Sequence, residues 1–202
     1  MKEENKNLIP TFPQVLEDFV KDLLSNVHTS MPGVVVSYNP STKMANIQPA
    51  LKKDVAGNLV ELPILQNVPV EFPQAANCII SWPLNPGDTG EIRFQERSID
   101  RWKNQGGVID PVDKRDHHFF DATFYPGLSS AKNPGLAADG TAILIQNGTM
   151  SVKVYPNGQI SLSNGTYELI NLLIEALTAI NDATPGTPAT AYITQLQTFK
   201  VT

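Results

Sequence analysis

The sequence predicts a mainly β protein: a small antiparallel barrel entered by an amphipathic helix and followed by a short strand-rich segment and an apolar helix. Three observations carry this. Short apolar runs separated by Pro, Gly and Asn fill residues 32–125, the pattern of a small barrel or sandwich. Three later runs close on Asn147-Gly148, Asn157-Gly158 and Asn164-Gly165, which supply the positive φ that tight reversals need. Helical periodicity is strong only in Phe12–Val27 and Tyr167–Ile180.

At 202 residues the chain can hold one core of about 100 to 150 residues with appendages. Its formal net charge is −5, with only 15 Lys and Arg, so no positive field gathers phosphates or anionic lipid. No specific nucleic-acid binding is expected. Cys78 is the single cysteine, which excludes an intrachain disulfide framework and a multi-cysteine metal site. Beside Ile79 and Ile80 it reads as a small buried apolar residue. The opening Met1–Asn7 carries acids where a secretory signal is basic, and no apolar run reaches the ~20 residues of a membrane span. We therefore expect a soluble protein made in the cytoplasm.

In the first helix Val15, Leu16, Phe19, Val20, Leu23, Leu24 and Val27 recur at steps of one, three and four, opposite Glu17, Asp18, Lys21 and Asp22. Thr11 can cap it, and Pro13 suits a first turn whose N–H has no intrahelical partner. The stripe through Leu16, Phe19 and Leu23 packs either on the chain's own domain or on a neighbouring subunit.

Strands are expected at Val34–Tyr38 and Met44–Pro49, flanking the turn-rich residues 39–43, and at Val60–Leu65, Val68–Phe72, Cys78–Trp82 and Glu91–Gln95. Ser98–Asn104 is the one place in the barrel with a helical signal. Residues 126–140 hold two Pro-Gly turn signals and no apolar period, which marks a linker leaving the barrel, with 129–140 outside it.

Between Thr141 and Tyr167 only Lys153 is charged. Ile143 with Ile145, Val152 with Val154, and Ile160 with Leu162 each put two apolar groups on one face of a strand. Three such strands from one chain make a thin sheet with unpaired edges. Two arrangements resolve this: an intertwined trimer forming a short β-prism or β-helix over residues 141–166, with those six residues at its interface, or a hairpin sheet packed on the barrel.

From Tyr167 to Ile180 the chain is apolar on nearly every side, with Glu168 favourably near a helix start. Such a helix needs a partner, and Leu169, Leu173, Leu177 and Ile180 are its candidate docking face. Asn181-Asp182 and Pro185-Gly186 end it, and Ala189–Thr202 reads as an extended arm.

Catalytic machinery is hard to assemble from this sequence. His28 follows the first helix, where a cation suits the dipole. His117-His118 lies near Asp113, Asp116 and Asp121, but adjacent histidines on a strand point to opposite faces. Gly87-Asp88-Thr89-Gly90 lacks the Gly-Lys-Ser/Thr ending of a phosphate loop and reads as a turn. Glu91, Glu96 and Asp100 alternate with Arg93, Arg97 and Arg101, which suggests ion pairs, with Arg97 and Asp100 tying Ser98–Trp102 to the barrel. We expect no enzyme, no cofactor and no bound metal.

The Gly87-Asp88-x-Gly90 turn, the run Phe94-x-Glu96-Arg97-Ser98-Ile99-Asp100-x-Trp102, the Gly106-Gly107 pair and the opening Met31-Pro32-Gly33-Val34-Val35-Val36-Ser37-Tyr38-Asn39-Pro40 resemble the OB-type domain of phage baseplate spike proteins of the Gp138 kind. The likeness covers residues 31–128. It implies a mainly β fold with an OB-type barrel, in which Gly87, Asp88, Gly90, Glu96, Arg97, Asp100 and Trp102 are structural. It further implies a homotrimer at the centre of a contractile-tail baseplate in the virion. Such a trimer contacts hub and tail-tube proteins, plugs the tube and drives a β-helical needle into the host envelope. Residues 1–30 would then dock on the hub and 141–166 form the needle.

Longer members of that family end in a His-x-His tip that holds iron, whereas this chain has no histidine after His118, so no tip metal is expected. Three strands per chain around a prism rise only about 15 Å at ~4.8 Å spacing, short of a ~30 Å hydrocarbon layer. Residues 167–202 would accordingly cap the prism or receive a separate tip protein. The alternative is an OB-fold module binding cell-wall glycan or single-stranded nucleic acid, with Trp82 and Trp102 as stacking surfaces.

Overall fold

The computed structural model describes residues 10–55, 57–111, 113–183 and 189–199. Met1–Asn7 and the Pro185-Gly186 break lie outside these residues. The chain divides into two compact units, 1–133 and 134–202, a division that falls inside the Pro- and Gly-rich stretch 129–140.

Helix α1 (Phe12–Ser25) begins where the sequence indicates. The Gln14 side-chain carbonyl accepts from the Thr11 N–H at 2.8 Å and from its hydroxyl at 3.1 Å, closing the first turn. None of the helix's residues is buried.

The first unit is built on β1 (Ser30–Asn39), β2 (Met44–Pro49), β5 (Leu65–Pro69), β8 (Thr89–Phe94) and β9 (Ala122–Pro126), with the small hairpins β3 (Lys53–Val55)–β4 (Asn58–Val60) and β6 (Gln74–Ala75)–β7 (Cys78–Ile79) between them. The five strands form one antiparallel sheet in the order β5-β2-β1-β8-β9. Val70, just past β5, bridges in parallel to Phe124 of β9, and the Glu71 N–H donates to the Phe124 carbonyl at 2.8 Å. The two edges of the sheet therefore meet, and the sheet curls around its own apolar face. Alternation sets that face: Ala45 and Ile47 point inward from β2, and Ile92 and Phe94 from β8. They pack with Val35, Leu65, Val68, Val70 and Phe124 in one core. The protein is mainly β, with a curled half-barrel sheet and an N-terminal helix.

Gly90 shows how tightly the curl is drawn. A Cβ there would lie 2.5 Å from the Phe124 ring and 2.5 Å from the Tyr125 carbonyl oxygen. Gly87 differs, sitting at φ +96° in open space at the turn before β8. Gly90→Ala is expected to cost about 2–3 kcal/mol by overpacking against a backbone that cannot yield, and Gly87→Ala about 1 kcal/mol through backbone strain alone. Urea unfolding distinguishes them, and equal losses would contradict this reading of Gly90.

Several expectations are corrected. Strand β5 runs from Leu65 to Pro69, so Val60–Leu65 is not a strand, Val68–Phe72 only begins as one, and Cys78–Trp82 shrinks to the two residues of β7. Cys78 is exposed, because it sits on a projecting hairpin whose residues 73–83 are all exposed. Strand β9 was not singled out in the sequence; its first three residues are all buried, which erases the period of two. Helix α2 (Asp100–Gln105) takes the place of the Ser98–Asn104 signal.

In the second unit β10 (Ile143–Asn147), β11 (Met150–Val154) and β12 (Ile160–Ser163) form an antiparallel sheet in chain order. Gly148, Gly158 and Gly165 all have positive φ, as the Asn-Gly pairs require. Helix α3 (Leu169–Ala183) follows, and α4 (Ala189–Phe199) packs along it. The expected extended arm is thus helical. Ala189–Phe199 contains no Gly or Pro, and the half-buried Ile193 and Leu196, one turn apart, gain from α3 a partner that the local sequence does not reveal.

Candidate functional site

Three apolar surfaces and one charged cluster are candidates for function. On α1, Leu16, Phe19 and Leu23 stay exposed, Phe19 at 58%. Packing on the chain's own domain, one of the two expected arrangements, does not cover this stripe.

The second surface is the face of the β10–β12 sheet. Register sets Ile143 opposite Val154 and Val154 opposite Ile160, and likewise Ile145 opposite Val152 and Val152 opposite Leu162. The six residues named from the sequence therefore form two parallel rows of three on one face. Ile143 and Ile145 are 69% and 66% exposed, and the outer edge of β10 pairs with no strand among the described residues.

Two acids organise this unit, and the sequence revealed only one. Glu168 accepts the Leu162 N–H at 3.2 Å with one carboxylate oxygen and the Asn171 N–H at 2.8 Å with the other. It joins the end of β12 to the first turn of α3, consistent with its expected place at a helix start. Asp139 was missed inside the linker. Its carboxylate accepts from the Thr141 and Ala142 N–H groups at 2.8 and 3.1 Å and pairs with Lys153 at 2.9 Å. The Lys153 contact first, then the Thr141 bonds, hold its carboxyl far below the usual carboxylate range. The Asp139-Gly140-Thr141 turn chemistry was the available signal. Lys153, the one charge between Thr141 and Tyr167, is thereby neutralised.

The third surface lies on α3. Ile170 is buried, whereas Leu169 and Leu173 are exposed, Leu177 is half-buried and Ile180 is exposed.

In the charged cluster Arg97 and Asp100, expected to tie Ser98–Trp102 to the barrel, each pair with the segment before β9. Arg97 pairs with Asp116 and with Glu96, while Asp100 pairs with Lys103 and with Arg115. The centre is Arg115 on Asp121: Nε donates to Oδ2 at 2.5 Å and Nη2 to Oδ1 at 2.9 Å, with Asp113 at 2.8 Å beyond. Asp121 is fully buried and also accepts the Ile99 N–H at 3.0 Å. Burial pushes its pKa up, but Arg115 and the Ile99 N–H outweigh this and leave it below the ordinary value. Arg115 links α2 and the loop before β9 to the barrel; seven residues of sequence around it show no periodic signal that would have marked it.

The histidines offer no catalytic grouping. Among the described residues no three His, Cys, Asp or Glu side chains gather where a metal ion could bind. His117 and His118 lie in a loop, not on a strand, with His117 at φ +46°. His28 is not the helix-end cation the sequence suggested. Its ring lies 5.2 Å from Phe94 and 5.3 Å from Phe119. Burial, then the charges of Lys53 and His118, lower its pKa below 6.5. The unfolded chain thus binds the proton first as pH falls, so His28's share of stability is full above pH 6.5 and declines below it. His28→Gln is expected to flatten this slope in urea titrations between about pH 7.5 and 5.5; an unchanged slope would assign it to other groups. Trp82 packs edge-on against Phe72 at 5.2 Å, and Trp102 is 49% exposed.

Residues 31–127 match the family described as the phage protein Gp138 N-terminal domain. No curated protein matches the chain. The match spans the curled sheet from the second residue of β1 through β9, together with the Gly87–Gly90 turn and the Phe94–Trp102 run. Residues 31–127 thus carry the Gp138 N-terminal domain, which makes the chain similar to Gp138-like phage proteins.

Proposed function

We infer that this phage structural protein is the central spike of a contractile-tail baseplate: a non-enzymatic homotrimer that plugs the tail tube and transmits force into the host envelope. The observation that carries the reading is the double apolar row of Ile143, Val154, Ile160 and Ile145, Val152, Leu162, in which Ile143, Ile145 and Val154 are exposed and the other three half-buried. Three copies with these faces turned inward make a three-sided prism whose interior is apolar, and burial at ~25 cal/mol per Å2 supplies cohesion that a lone sheet lacks. The free edge of β10 supports the same arrangement, since strand pairing between copies would occupy it.

Other features support the remaining parts. Numbered among themselves, the five large strands lie in the order 3-2-1-4-5, with the fifth bridged back to the third, which is the closed order of an OB-type barrel. Such barrels side by side would plug the tube. The bare stripe of α1 suits docking on a hub protein, and Leu169 and Leu173 suit a cap or a separate tip protein. Contact with the host envelope is transient in this reading, and the protein resides in the virion baseplate after synthesis in the host cytoplasm.

Light scattering tests it. A trimer of 22.0 kDa chains gives about 66 kDa, and deletion of residues 141–202 should reduce the mass to that of a monomer. A concentration-independent monomer would overturn the reading.

A further inference from the structure

We propose that the groove between the β1–β2–β5 face of the sheet and α2 is a binding site for a neutral oligosaccharide. This goes beyond the assembly role and does not depend on it. The groove encloses about 980 Å3 and adjoins a second hollow of about 640 Å3, with Thr42, Met44 and Lys103 in the walls of both. Each falls within the ~300–1,000 Å3 of small-ligand sites. Together they form a run long enough for several sugar rings. The walls come from β2, β5, the β1–β2 turn and the helix between β8 and β9, the surface on which five-stranded barrels of this order hold linear polymers.

Polar side chains open to a ligand are the first argument. The carboxamides of Gln66 and Asn67 and the hydroxyls of Tyr38 and Thr42 line the groove, and none makes a side-chain hydrogen bond within the described residues. Desolvation raises the pKa of the Tyr38 phenol, as expected of a group partly withdrawn from water and without a protein partner. Carboxamides and hydroxyls offer donors and acceptors side by side, which matches the paired hydroxyls of a sugar.

Rigidity is the second. Gln66 and Asn67 together stand across from Asn46 where the β2–β5 register shifts, and β1 shifts between Val35 and Ser37. Asn67 is held at φ +52°. Asn46 locks this bulge, accepting the Asn67 N–H at 3.1 Å and donating to the Ser37 hydroxyl at 3.0 Å. A bulge re-aims side chains, and here it fixes the backbone from which two carboxamides leave on one rim.

Charge chooses the ligand class. Lys103 is paired with Asp100 at 3.1 Å, and Lys43 donates to Gln74 at 2.7 Å. No arginine lines either hollow, and Lys43, bound to a neutral amide, is the one lining cation outside a shown ion pair, so a phosphodiester chain would meet a single counter-charge, whereas a neutral glycan requires none. Trp102, half-exposed on the second hollow, presents an apolar plane to the C–H face of a sugar ring.

The test uses the full chain. Titration calorimetry is run with maltohexaose, chitohexaose, mannohexaose and a laminarin hexasaccharide, with a 20-mer of thymidylate as comparison. At least one hexasaccharide is expected to bind. Asn67→Gly, which keeps the left-handed backbone, and Trp102→Ala are each expected to weaken it at least tenfold without changing the mass or melting temperature. Should Trp102→Ala unfold the protein, Asn67→Gly alone carries the test. The proposal is overturned if no hexasaccharide binds, if the Asn67→Gly protein binds like the parent, or if the oligonucleotide binds more tightly. A change of mass in Asn67→Gly would also overturn it, identifying the groove as a protein interface.

Discussion

Val152→Asp is expected to convert the proposed trimer of about 66 kDa to the 22.0 kDa monomer. Val152 lies at the middle of its row, opposite Ile145 on one side and Leu162 on the other. In a prism its three copies would converge near the axis. Three carboxylates brought together out of water meet a desolvation cost of several kcal/mol each and repel one another. In an isolated chain the same residue lies on a half-buried sheet face, where water still reaches it and the cost is small. The predicted effect is therefore large on assembly and slight on the fold. Ser161→Asp is the control: Ser161 opposes Lys153 on the other face of the sheet, and its carboxylate should leave the mass unchanged. Sedimentation of both variants decides the matter, and a Val152→Asp protein that remains trimeric would show that the prism is not what joins the chains.

Asp121→Ala is expected to destabilise the first unit by about 3–5 kcal/mol, the range for removing one partner of a buried ion pair. The side chain of Asp121 is 1% exposed and that of Arg115 25%. Its loss strips Arg115 of a two-bond partner and leaves the Ile99 N–H without an acceptor. Arg115 retains Asp100 and Asp113, which places the expected loss at the lower end of the range. Asp121→Asn should cost less, because an amide oxygen can still accept from Ile99. The pH dependence has a definite sign. With its folded pKa below the ordinary 3.8, Asp121 contributes its stability in full above that value and loses it as pH falls through the folded pKa. The gap between parent and Asp121→Asn in urea unfolding should therefore be widest at neutral pH and narrow in acid. A gap that widened on acidification would contradict the assignment of Arg115 and Asp121 as the clamp.

Much of the fold was legible where local chemistry and tertiary environment agree. Thr11 and Pro13 mark the start of α1, and the alternation in Met44–Pro49 and Glu91–Phe94 survives because each strand has one face on the core. Period alone placed each pair from Ile143 to Leu162 on one face of its own strand, and the register is what brings the three pairs to one face of the sheet. Legibility failed where a strand is buried on both sides or bent. Ala122–Phe124 is wholly buried and shows no alternation. The bulge at Gln66 and Asn67 interrupts β5, so its apolar residues looked like two separate strands.

By itself the sequence determined the elements whose signal is periodic or turn-encoded: the entry helix, the β1–β2 hairpin, the three Asn-Gly reversals and the run of motifs that identifies the phage domain. Tertiary structure alone decided which distant groups meet. Arg115 reaches Asp121 and Asp100, Arg97 reaches Asp116, Lys153 finds Asp139, Ala189–Phe199 becomes helical against α3, and Gln66 and Asn67 line a groove with Trp102 beside it. The physical reason is range: propensity and period act over a few residues, whereas ion pairs, desolvation and packing depend on neighbours that only the closed sheet and the folded second unit bring together.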